Sequence, residues 1–151
     1  VEELVRYRRH FHQHPELSLQ EFETAKFIER ELRSFGIDEI RTGVGKTGVL
    51  ATLRGERPGP VTLLRADMDA LPVQEVGDVP YRSVNDGVMH ACGHDGHMAI
   101  LLSAARALGG RRREIAGSLV FCFQPGEEGY AGNKLMIEDG ALEDPHVDRT
   151  F

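Results

Sequence analysis

Short β-favouring runs alternate with amphipathic stretches along this chain, and that alternation restricts it to a layered α/β fold. "GVLATLRG" from Gly48 and "VTLLRA" from Val61 are rich in the branched residues that suit strands, and "GERPGP" between them is turn chemistry. The two runs are expected to form a neighbouring strand pair. "MAILLSAARALGG" then places Ile100, Leu101, Ala104, Ala105 and Leu108 on one helical side and ends in two glycines, and "SLVFCFQ" reads as a buried strand. Upstream, Leu4, Val5, Tyr7 and Phe11 space a helix that the His14-Pro15 step should end. A second helix follows from Phe22, Ala25, Phe27, Ile28, Leu32 and Phe35, stopped by Gly36. A last helix is expected in "AGNKLMIEDG". The adjacent strand pair would make the sheet mixed.

With 24 acidic against 18 basic residues and no basic stripe, nucleic acid is excluded as the expected partner. No stretch approaches the roughly 20 apolar residues of a membrane-spanning helix. No charged-then-apolar leader opens the chain, and a cytoplasmic protein with no membrane partner is expected. Cys122 lies in an apolar run where a buried thiol is the default, and two cysteines make no disulfide framework.

The densest chemistry is "HACGHDGH", which packs His90, Cys92, His94, Asp95 and His97 into eight residues. Each of these groups needs a polar partner when buried, so such crowding points to metal ligation more than to core packing. Two other motifs fall away. "GVGKTG" lacks both the earlier glycine and the following helix of a phosphate loop. His10, His12 and His14 lack the glutamate that marks a helical zinc pair and read as a surface or helix-end group.

Asp67 and Asp69 stand just beyond "VTLLRA", and Glu127 and Glu128 just beyond "SLVFCFQ". Ligands of open α/β sheets gather outside the carboxyl ends of strands, so the two acidic pairs are expected at one rim. If the loop is extended, Cys92 and His94 point to the same side. Adjoining carboxylates in an extended segment point apart, leaving one as ligand and the other as base. A metal lowers the pKa of a water it holds to about 7, and a glutamate can then accept the proton during attack on a carbonyl.

"HQHPELS", "TGVLATLRG", "LLRADMDALP", "MHACGHDGH" and "FQPGEEG" together resemble the signature run of the N-acyl-amino-acid amidohydrolases, the group of hippurate hydrolase and indoleacetyl-amino-acid hydrolase. That group belongs to the wider aminoacylase and carboxypeptidase G metallopeptidases. The resemblance implies a three-layer αβα zinc-peptidase-like catalytic domain, incomplete here. Residues 1–151 would be its N-terminal part, with the lid and dimerisation domain and the C-terminal part outside this chain. It also implies two divalent metal ions, zinc first and manganese, nickel or cobalt as alternatives, with Cys92, His94 and Glu128 as ligands and Glu127 as general base. Asp69 matches a carboxylate that orients the site, and Asp67 stands near a position where distant relatives carry a ligand histidine. The implied substrate is a small N-acyl amino acid or peptide, and the complete protein would be a homodimer. Two other readings remain: a thiol hydrolase with Cys92 as nucleophile, and a non-enzymatic metal-binding or interaction module. The 151 residues alone should be weakly active or inactive, because three ligands are too few for two ions.

Overall fold

The computed structural model describes all residues from Val1 to Phe151. Helix α1 (Glu2–Gln13) ends at the His14-Pro15 step, and α2 (Phe22–Ser34) ends before Gly36, which adopts φ +76°. Strands β1 (Glu39–Val44), β2 (Gly48–Arg54) and β3 (Arg57–Asp67) follow, then α3 (His94–Gly109) and β4 (Ala116–Gln124). A kinked turn α4 (Glu127–Tyr130), helix α5 (Gly132–Glu138) and the short β5 (Arg149–Thr150) complete the chain. The sheet order is β1-β2-β4-β3-β5. β1, β2 and β4 run antiparallel in turn, whereas β4, β3 and β5 are parallel, so the sheet is mixed as expected.

The expected β2–β3 pairing does not occur, because β4 lies between those strands. The glycines of "GERPGP" serve that insertion rather than a hairpin. A Cβ on Gly55 would fall 2.3 Å from the Ile115 carbonyl oxygen, and one on Gly117 would fall 1.9 Å from that of Pro60. Three backbones therefore pass closer than any side chain permits, and the Gly55 N–H donates to the Gly117 carbonyl at 2.9 Å. β1 carries no strand signal in the sequence because it is a largely exposed edge strand with little apolar alternation.

Alternating side chains of the central strands feed two clusters. Val49, Ala51, Leu53, Phe121 and Phe123 join a 19-residue core with Tyr7, Phe11, Ile28, Leu32, Met98 and Leu102 from the three long helices. Leu50, Leu63, Val120 and Cys122 face the other way, into a cluster of 7 buried residues completed by Val44, Met136 and Ala141. A single 3-10 turn at Arg112–Glu114, with no buried residue, leads into β4.

The unit that places the site is β3–α3–β4. Its parallel register sets Asp67 opposite Gln124, so the segments leaving the two strands begin side by side. One leads to the start of α3 and the other to α4. They meet at the carboxyl rim of the sheet, as expected for this class of fold.

Candidate metal centre

Cys92 and His94 come together by a turn, not by the extended loop expected from their spacing. Gly93 between them has φ +117°, a conformation that side chains rarely adopt, and nothing stands within 4 Å of where its Cβ would be. His94 then opens α3 as its first residue. Its Nδ1 lies 2.9 Å from the Asp69 carbonyl oxygen and 3.3 Å from Asp69 Oδ1. With Nδ1 so engaged, the ring turns Nε2 toward the site, the arrangement that fixes both tautomer and direction of a metal-binding imidazole.

The second arm is also turned rather than extended. Gly126 (φ +56°) and Gly129 (φ +87°) bracket the two glutamates, and Glu128 has non-helical backbone angles inside the four-residue turn. The Glu128 N–H donates to Asp69 Oδ2 at 3.0 Å, and the Ser18 hydroxyl donates to the same oxygen at 2.6 Å. Asp69 thus holds both arms: its carbonyl takes the histidine and its carboxylate takes the loop.

Ligand atoms of Cys92, His94 and Glu128 lie within 4.8 Å of one another. A thiol, an imidazole with one nitrogen committed elsewhere, and a carboxylate form a donor set that fits a divalent transition-metal ion. Glu127 stands beside them, its Oε2 3.9 Å from His94 Nε2 and its side chain 43% exposed. A second group, Asp67, His94 and His97, also lies within 4.8 Å, with His97 Nδ1 3.6 Å from Asp67 Oδ2. Both groups draw on His94, whose single free nitrogen can serve one ion. They are therefore not two independent sites. Arg65, which pairs with Asp67 and donates to Gln124 Oε1 at 2.6 Å, further occupies the Asp67 carboxylate.

Electrostatics follow from this packing. Burial disfavours a charged His94, yet the Asp69 hydrogen bonds and the Asp67 and Asp69 charges outweigh it and lift the imidazole to about 9. Burial likewise works against an ionised Asp69, but hydrogen bonds from His94, Ser18 and the Glu128 and Glu127 backbone hold its carboxyl at about 2. The Cys92 thiol is pushed up by the Glu128 carboxylate against it, then by burial. Among the flanking histidines, His97 is exposed, whereas His90 is buried with neither ring nitrogen hydrogen-bonded.

Several buried polar residues behind the site were not legible in the sequence. His12, expected at the surface, is 5% exposed: its Nδ1 meets Asp95 Oδ2 at 2.8 Å and its Nε2 meets Glu75 Oε1 at 3.2 Å. Arg8 reaches Asp95 at 3.2 Å, so α1 is clamped to the first turn of α3. A histidine within a helix gives no sequence signal for such a partnership. His10 stacks on Phe27, with ring centroids 3.9 Å apart, and His14 is exposed, so only those two resemble the expected helix-end group.

At the carboxyl rim of the sheet, Cys92, His94 and Glu128 thus form a donor set able to hold a divalent ion, with Glu127 beside it. The chain belongs to the peptidase family M20/M25/M40, which it matches over residues 63–151. It is 50% identical over 141 residues to an N-acetyl-L-cysteine deacetylase of Bacillus subtilis, covering 93% of this chain and 34% of that protein. It is 45% identical over 149 residues to the hippurate hydrolase of Campylobacter jejuni, covering 99% of this chain and 38% of the relative. The crystal structure of a Bacillus subtilis dinuclear metal-binding peptidase of the M20 family superposes with a TM-score of 0.91 at 47% identity, over 98% of this chain and 41% of that one. The chain thus spans little more than a third of the length of these curated relatives.

Proposed function

We propose that residues 1–151 are the N-terminal part of the catalytic domain of a metal-dependent amidohydrolase that cleaves N-acyl amino acids or small peptides. The rest of the catalytic domain and a lid through which the protein dimerises would lie outside these residues. The observation that carries the reading is the convergence of Cys92, His94 and Glu128 within 4.8 Å, with Glu127 beside them. Relatives described as a deacetylase and a hippurate hydrolase support the substrate class. No helix is long and apolar enough to cross a membrane, and both cysteines are free, which accords with a cytoplasmic enzyme.

Cys92, His94 and Glu128 would hold the ion, and the remaining ligands of a dinuclear centre would come from elsewhere in the complete protein. The thiolate favours zinc, while the nitrogen and oxygen donors admit manganese, nickel or cobalt. Bound divalent ions would supply Lewis-acid activation of water and of the scissile carbonyl. Glu127, half-exposed at the rim, accepts the proton released from water at a carboxylate oxygen and returns it to the leaving nitrogen. His94 keeps its ring fixed through Asp69, and Asp69 holds the backbone of Glu128, so base and ligands share one reference point.

The thiol-hydrolase alternative has less support. A nucleophilic cysteine needs a lowered pKa, and the Glu128 carboxylate raises that of Cys92. Chelation of the complete protein should abolish hydrolysis, with recovery on adding metal. Glu127→Gln should lower kcat about 10²- to 10⁴-fold, the usual contribution of a general base, while metal stoichiometry stays unchanged. Full turnover after metal removal would overturn this reading, and loss of activity on alkylating Cys92 in metal-free protein would favour the thiol.

A further inference from the structure

Glu21 is fully buried and stands at the N-cap position of α2, where a side-chain oxygen can accept from the free N–H groups of the first turn. It does not cap. The Glu16 carboxylate does that work, accepting from the N–H groups of Thr24 at 2.8 Å and Glu23 at 3.2 Å. The Glu21 side chain turns inward instead. Its Oε1 accepts from the Gly126 N–H at 2.9 Å, and its Oε2 meets the Thr47 hydroxyl in a short contact. Both partners are uncharged, so burial raises the carboxyl pKa without an opposing cation. An apolar side chain of similar size would serve packing at lower cost, so the carboxyl calls for a different explanation.

Geometry supplies one. Gly126 directly precedes Glu127 and Glu128, and its backbone is left-handed. Leu19, itself at φ +60°, closes on it so tightly that a Cβ on Gly126 would fall 2.8 Å from Leu19 Cδ2. Ser18 grips Asp69, which in turn takes the Glu128 N–H. The segment from Ser18 to Glu21 therefore braces the glutamate loop at successive points, and Glu21 grips the peptide group before the first glutamate.

We propose that Glu21 is a positioning residue whose buried carboxyl sets the 125–128 loop so that Glu127 and Glu128 face Cys92 and His94. The proposal rests on the metallohydrolase reading for what the loop does, though not for how it is held. Thr47, on the turn between β1 and β2, orients the carboxyl, which ties that turn to the site. Because an amide can accept from Gly126 and donate to Thr47, Glu21→Gln preserves both contacts. Glu21→Met keeps the volume and loses the acceptor, and Glu21→Asp keeps the charge and loses the reach.

The test is made on the complete, metal-loaded protein with an N-acyl amino acid as substrate, alongside amide hydrogen exchange at Gly126. Glu21→Gln should match the unsubstituted protein in kcat and in Gly126 protection. Glu21→Met and Glu21→Asp should each lose Gly126 protection and lower kcat about 10- to 100-fold, the scale of an ångström-size misplacement, with KM little changed. Unchanged kcat and protection in either of these two variants would overturn the proposal. A loss of activity that merely tracks the loss of folded protein would overturn it as well. Should the unsubstituted enzyme prove metal-independent, the functional reading fails, and Gly126 exchange still decides whether Glu21 holds the loop.

Discussion

On one arm of the candidate centre, His94 opens a 16-residue helix whose next turns are anchored in the large core by Met98, Leu101 and Leu102. On the other, Glu127 and Glu128 stand in a four-residue turn between left-handed glycines, with no buried side chain of its own. The helical arm is held mainly by packing and by the Asp95–His12–Glu75 clamp. The turn is held by hydrogen bonds reaching in from distant segments, through Asp69 and Glu21, and by Leu19 closed on Gly126. The two candidate ligand arms are thus set in place by different means. The means decide how each arm fails: the helical arm with the fold, the turn by local displacement.

The contrast can be broken most forcefully at His12. His12→Ala would strip a hydrogen-bond partner from two buried carboxylates, Asp95 and Glu75, at a cost on the order of 3 kcal/mol. Thermal unfolding should show the loss as global destabilisation. A variant that kept its melting temperature but lost metal affinity would show that the helical arm is as locally governed as the turn.

Asp69→Ala should touch both arms at once. Removing a carboxylate that orients ligands costs about 10- to 100-fold in metal affinity, measurable by competition with a chelating dye. Wild-type affinity in this variant would mean that the Asp69 carbonyl alone suffices. Gly126→Ala acts on the turn only, where φ +56° disfavours a side chain by about 1–2 kcal/mol and Leu19 must also move. Its signature should be a fall in kcat larger than the small fall in melting temperature would suggest.

The smallest expected effect is a pH dependence. The native pKa of Glu21 is raised above its unfolded value, so its protonated form is favoured by folding and stability falls as pH rises above the ordinary glutamate range. Glu21→Gln should therefore raise the melting temperature near neutrality and leave it little changed near pH 4. An equal shift at both pH values would show that the buried carboxyl carries no ionisation cost.

The sequence announced the donors better than it announced their support. Cys92, His94, Glu127 and Glu128 stand out because such residues cluster at short spacing beside strand ends, where few structural demands would gather them. His12, Glu21 and Glu75 stayed hidden because a polar residue facing solvent and one buried against a partner look the same in one dimension. The helices and β4 followed from their periodicity. The neighbourhood of β2 and β3 did not, since local turn residues cannot reveal that a strand beginning only at Ala116 slides between two runs that adjoin in the chain. Glycines at Gly55 and Gly117 were the available signal, and they read equally well as a hairpin.

The pairing of Asp67 with Gln124 makes the sheet a ruler for the chemistry at its edge. A strand that gained or lost one residue would turn every following side chain to the opposite face, so β3 and β4 tolerate changes of letter far better than changes of length. The stretch around Val76–Pro80 is largely exposed and outside regular structure, so it can lengthen at small entropic cost. Diversification of such a domain, natural or by design, should therefore insert there and leave the two measured strands alone.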